Sequence, residues 1–171
     1  MKFSEMPYTR PDEKAVLASI DALCEKLDAA KSADEQFACY LELDKITVEV
    51  GTLGSIAYAR NTIDTRDEFY EKEREFFDEV SPLLNEKLLA FGKKLCASPF
   101  RKELEKKIPP LWFTNMELQM KGFSPEIIPL MQEESKLAAS YQKLYASAQV
   151  DFDGKKCTIP QLAAYKQNPD R

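Results

Sequence analysis

Apolar residues return every three or four positions along most of this chain, the spacing that gathers them on one face of a helix. Val16, Leu17, Ile20, Leu23, Cys24 and Leu27 follow it, predicting an amphipathic helix that starts near Pro11-Asp12 and ends near Ala30. Ser32-Ala33-Asp34-Glu35 reads as a capping box, in which the serine and the glutamate each satisfy a backbone amide at the helix start. Behind it Phe37, Tyr40, Leu41, Ile46, Val50, Leu53, Ile56 and Ala57 carry a second helix toward Arg60. A further capping box, Thr65-Arg66-Asp67-Glu68, opens the longest periodic stretch: Phe69, Phe76, Val80, Leu84, Leu88, Phe91 and Leu95. Unbroken to Cys96, that helix spans about 48 Å on the usual helical rise and serves as a spine for the shorter ones. Pro82 lies inside it, where it lacks an amide donor and crowds the carbonyl one turn back, so a kink is predicted there.

Beyond the spine the elements shorten. Ser98-Pro99 precedes a polar helix from Phe100 to Lys107, stopped by Pro109-Pro110, and Leu111 to Lys121 carries the sole tryptophan, Trp112. Ser124-Pro125-Glu126 then starts a helix bearing Ile127, Ile128, Leu130, Met131, Leu137, Tyr141, Leu144 and Tyr145. Pro129 falls in its first turn, where a missing amide costs little. The period changes to two only at Ala148 to Phe152. Asp153-Gly154 supplies a tight turn and Lys155 to Ile159 returns, predicting one hairpin that must lean on the helices. A short helix from Gln161 to Lys166 follows. Asn168-Pro169-Asp170-Arg171 reads as a turn into a further helix, so the chain is expected to be a fragment. The expected fold is all-α: an elongated helical bundle around a long kinked central helix, with one small β-hairpin near the carboxy terminus. Residues 1–171 are expected to form a single helical domain.

Composition narrows the classes of partner. The 171 residues are 44% hydrophobic and 31% charged, enough to bury a core and too apolar for a disordered chain. A net charge of −5 supplies no basic surface for phosphates, so no nucleic-acid partner is expected. No run of about 18 apolar residues occurs, so no membrane span is expected. Met1-Lys2-Phe3-Ser4-Glu5 has no apolar segment typical of a signal peptide. Cys24, Cys39, Cys96 and Cys157 include no CxxC pair, and three of them occupy apolar helical positions. They read as reduced thiols in a cytoplasmic protein.

Candidate chemistry is limited by one fact: the chain has no histidine. That excludes a Ser-His-Asp triad, a Cys-His pair and an HExxH zinc helix within it. No P-loop or GxGxxG occurs either. Glu71, Glu73, Glu75 and Asp78 could face carboxylates of another helix around two metal ions, but such sites add ExxH. They read instead as a solvated helix face, as do Glu103, Glu105, Glu133 and Glu134. Gly51 and Gly54 each cost their helix about 1 kcal/mol relative to alanine, a cost that close packing against another element can offset. The aromatics Phe69, Tyr70, Phe76, Phe77 and Phe91 read as core, and Trp112-Phe113 as core or as an interface anchor. No catalytic, cofactor-binding or metal-ligating residue is assigned to this chain.

A series of segments carries a resemblance. Asn61-Thr62-Ile63-Asp64-Thr65-Arg66-Asp67-Glu68-Phe69-Tyr70 resembles a helix start of bacterial oligoendopeptidase F enzymes, relatives of thimet oligopeptidase. Phe76-Phe77-Asp78-Glu79-Val80-Ser81-Pro82-Leu83-Leu84 is similar to the same family, in-helix proline included. So are Ala97-Ser98-Pro99-Phe100-Arg101, Phe123-Ser124-Pro125-Glu126-Ile127-Ile128, Ala146 to Lys155, Asn168-Pro169-Asp170-Arg171 and the opening Met1 to Tyr8. The similarity runs in order over nearly the whole chain. It implies the helical amino-terminal domain of a cytoplasmic zinc metallopeptidase that cleaves short peptides. In that family zinc, HExxH and a later glutamate belong to a carboxy-terminal catalytic domain, none of whose residues maps here. By the same resemblance this part walls the channel to the active site and is inactive alone. The expected partners are that catalytic domain and short peptides, and an exposed apolar surface is expected on the hairpin and the last helix. The alternative is a free-standing helical module that binds a protein or peptide.

Overall fold

The structure, a computed structural model, describes residues 3–122 and 124–166; Asn168-Pro169-Asp170-Arg171 lie outside the described residues. In chain order the helices are α1 (Glu13–Ala29), α2 (Ala33–Ile63), α3 (Glu68–Cys96), α4 (Arg101–Leu104), α5 (Pro110–Gly122), α6 (Ile128–Ser147) and α7 (Ala163–Lys166). Short 3-10 turns at Phe3–Glu5 and Pro125–Ile127 precede α1 and α6, and strands β1 (Gln149–Phe152) and β2 (Lys155–Thr158) separate α6 from α7.

Side-chain caps set the helix starts. Asp12 accepts a hydrogen bond from the Ala15 amide at 3.1 Å, so α1 begins after Pro11 rather than on it. The Ser32 hydroxyl accepts from the Glu35 amide at 3.2 Å, and the Glu35 carboxylate accepts from the Lys31 amide at 2.7 Å. The capping box therefore forms with its return bond one residue outside the usual place. At α3 the expected box at Thr65 does not form. Asp67 caps the helix instead, accepting from the Phe69 and Tyr70 amides at 2.9 and 3.2 Å. A carboxylate two residues nearer those donors also gains from the positive end of the helix dipole.

α3 has 29 residues and runs unbroken through Pro82, about 44 Å of spine. Pro82 has no amide to give the Asp78 carbonyl, and the preceding Ser81 hydroxyl donates to the Phe77 carbonyl at 2.6 Å. Against this spine pack α1, α2 and α5, burying Ile20 and Leu27 of α1, Cys39 and Leu43 of α2, Phe91 and Leu95 of α3, and Phe113 of α5. Trp112 meets Tyr40 and Phe113 edge-on, with centroids 5.4 and 5.1 Å apart, so the Trp112-Phe113 pair belongs to the core edge. The aromatic stripe is less uniform than its period suggests. Phe91 is fully buried but Phe69 is 54% exposed, at the first turn of α3, where Tyr8 of the amino-terminal arm meets Phe69 and Tyr70 edge-on.

The hairpin is antiparallel, with Val150 opposite Cys157. Its turn places Asp153 at φ 51° and Gly154 at φ 72°, the left-handed pair of a type I′ turn that Asp-Gly is suited to make.

Candidate functional site

Of the four carboxylates of the third helix, Glu71, Glu75 and Asp78 line one cleft and Glu73 lies apart from them. Glu73 corrects the solvated-face reading outright: its side chain is 5% exposed and sits under the amino-terminal arm. Arg10 donates to it through Nη2 at 2.6 Å and Nε at 3.0 Å, and the Tyr8 hydroxyl donates at 2.6 Å. The Arg10 guanidinium holds the Glu73 carboxyl below the usual carboxylate range, against the opposing effect of burial. Burial and the neighbouring carboxylate push the Tyr8 hydroxyl up. Sequence reasoning missed this cluster because its partners lie 63 and 65 residues away.

Asp78 faces elsewhere, into a polar cleft of about 480 Å³ between α2, α3 and α6. There Arg74 stands 3.9 Å from Asp78, donates to Asn61 Oδ1 at 3.3 Å and lies over the Tyr58 ring at 5.0 Å. Burial pushes the Asp78 carboxyl up, with Arg74 opposing. Glu71 pairs with Lys143 across the same cleft, so acids and bases are interleaved and no single charge dominates. Among the described residues no group of three or more His, Cys, Asp or Glu side chains is placed to hold a metal ion. Glu105 pairs with Arg101 at 2.8 Å, and Glu103, Glu133 and Glu134 are exposed.

All four cysteines are free; Cys24, Cys39 and Cys157 are buried and Cys96 half-buried. Burial pushes the Cys24, Cys39 and Cys96 thiols up, which keeps them protonated and poorly nucleophilic at neutral pH.

A second concavity, apolar and about 570 Å³, opens between α1, α2 and α3; Ile46, Val50, Gly51, Gly54, Phe77 and Leu84 are among the residues that line it. A Cβ on Gly54 would meet the Phe77 ring at 3.3 Å, whereas one on Gly51 would meet nothing within 4 Å. Close packing thus accounts for Gly54 and not for Gly51. Gly51→Ala is therefore expected to stabilise the chain by about 0.5–1 kcal/mol, the helix-propensity gain with no steric cost. A rise in the urea midpoint checks this, and a fall would mean that the groove wall is tighter than its geometry indicates.

The most exposed apolar surface lies on α6. Leu130, Leu137, Tyr141 and Leu144 are 64–69% exposed, and no residue of this 20-residue helix is buried. Val150 and Phe152 of the hairpin and Tyr165 of α7 are also exposed, as expected; α6 is the larger share and was not anticipated. No helix among the described residues is long and apolar enough to cross a membrane, so this stripe is no bilayer span.

Residues 3–123 match the family model described as the peptidase M3 N-terminal domain, and the chain belongs to that family. Its fold is shared with much longer solved chains. PZ peptidase A, solved with an inhibitor, superposes with a TM-score of 0.94 at 38% identity, over 99% of this chain and 30% of its own. A chain assigned as oligoendopeptidase F from Bacillus anthracis strain Ames gives 0.92 at 35% identity, over 98% and 31%. This chain therefore spans less than a third of the solved structures it matches. A search of curated proteins returned no match.

Proposed function

We propose that this chain is the amino-terminal, non-catalytic domain of a cytoplasmic zinc oligoendopeptidase, one helical unit over residues 1–171. In this reading it forms a wall of the channel that admits short peptides to a catalytic domain carried by the rest of the polypeptide. The observation that carries the proposal is the match to PZ peptidase A over 99% of this chain and only 30% of that one. The donor chemistry here agrees with a division of labour. With no histidine in the sequence and its thiols dispersed and shielded, this chain does not fit the zinc that the family implies, and no chemical step is assigned to its residues. Its contribution is shape: a wall admits only peptides narrow enough to pass, and substrate selection follows from access.

The test compares two proteins. The 171-residue chain is expected to bind no stoichiometric zinc and to leave a quenched fluorescent peptide of about ten residues intact. The complete product of its gene, expected to extend beyond residue 171, is expected to do both, with zinc measured by elemental analysis. Stoichiometric zinc and peptide turnover in the 171-residue chain itself would refute the proposal.

A further inference from the structure

The side of α6 that faces its own domain is the polar side. Gln132 donates to the Glu79 carbonyl at 2.8 Å, Lys136 pairs with Glu79 at 3.0 Å and Lys143 pairs with Glu71. The less exposed positions along the helix, Ile128, Met131, Gln132, Ser135 and Ala139, fall on that side, so its apolar share is small and only half-buried. Leu130, Leu137 and Leu144 project about half a turn away; with Tyr141, which also borders the cleft, they are its most exposed large apolar residues. A helix on a domain surface ordinarily turns its apolar stripe inward and its charges to water. α6 does the reverse.

We infer that this outward stripe is the seat of the downstream part of the same polypeptide, so that α6 is the element joining the helical wall to the body that follows; this rests on the function proposed above. Three observations favour that occupant over a second copy of the chain. The inner side of α6 is held by exposed ion pairs, with side chains 34–58% exposed, by the Gln132 hydrogen bond and by half-buried residues only, contacts that contribute little. The fold is nonetheless retained over 99% of this chain at 38% identity in PZ peptidase A, and a contact from outside the domain would supply what these contacts do not. That solved chain carries more than two-thirds of its length beyond this region. Glu133 and Glu134, both exposed beside the stripe, further specify the facing surface: an apolar centre with a basic rim.

Leu137→Cys tests it, with labelling read against the unsubstituted protein, whose thiols are buried except for the half-buried Cys96. In the 171-residue chain this thiol is expected to react with a maleimide at the rate of an exposed cysteine. In the longer polypeptide encoded by the gene it is expected to react at least about tenfold more slowly, since labelling would wait on opening of the interface. A Leu137→Asp, Leu144→Asp double variant is expected to leave the melting temperature of the 171-residue chain unchanged and to lower that of the longer polypeptide. Equal labelling in both proteins, or a gene that stops at residue 171, would overturn the inference. So would a concentration-dependent dimer of the 171-residue chain that protects the new thiol, because a second copy would then be the occupant. Protection in a longer polypeptide that hydrolyses no peptide would uphold the docking and refute only the peptidase reading.

Discussion

Truncating Phe113 to alanine is expected to cost about 3–5 kcal/mol, the range for deleting a fully buried aromatic and leaving a cavity that neighbours fill only in part. Phe113 is 0% exposed and stands where α5 closes on the spine. Its ring takes the Trp112 indole edge-on at 5.1 Å and the Arg101 guanidinium at 4.5 Å, so the truncation removes a cation–π contact as well as apolar burial. Arg101 would keep its carboxylate partners Glu105 and Glu117, which limits the collateral loss to packing. Domains of this size have about 5–15 kcal/mol in total, so the variant should sit close to unfolding at ambient temperature. The check is the urea midpoint, set beside Leu118→Ala on the same helix. Leu118 is 59% exposed and its truncation should change stability by less than about 0.5 kcal/mol. Equal shifts in the two variants would show that Phe113 is not the anchor of α5.

Arg10→Ala is expected to cost about 3 kcal/mol, and Glu73→Leu only about 1. The asymmetry comes from burial. Removing Arg10 strands the Glu73 carboxylate, whose side chain is 5% exposed, with the Tyr8 hydroxyl alone. Removing Glu73 strands a guanidinium that is 47% exposed and can turn to water. The same pair sets a pH dependence. Arg10 lowers the Glu73 pKa in the folded state from an ordinary value of 4.5, so below that pH the unfolded chain takes up the proton first. The contribution is therefore complete above about pH 4.5 and is lost as pH falls toward the folded value. Urea midpoints measured from pH 7 to pH 3 should show the gap between wild type and Arg10→Ala narrowing on the acid side. A gap that stays constant over that range would mean that Glu73 does not titrate through this pair.

Where a structural decision depended on neighbours a few residues apart, the sequence alone settled most of it, the start of α3 excepted, where Asp67 rather than Thr65 caps the helix. Period 3.6 located the helices, Ser32 and Glu35 the start of α2, and Asp153-Gly154 the single hairpin, because caps, helix faces and tight turns are made by residues within about four positions of one another. The absence of histidine excluded an HExxH helix from this chain, and the ordered series of segments indicated the family. Decisions between remote segments were not legible. That Glu73 is buried depends on an arm 63 residues earlier in the chain. That Gly51 faces open groove while Gly54 meets Phe77 depends on how α3 crosses α2. The α6 stripe shows the limit most directly: its spacing gathers Leu130, Leu137, Tyr141 and Leu144 on one face, but periodicity cannot say whether that face meets its own core or another body. Only the packing of α6 on α3, made through Gln132, Lys136 and Lys143, turned the stripe outward, because a helix has two sides and tertiary structure decides which one the domain keeps.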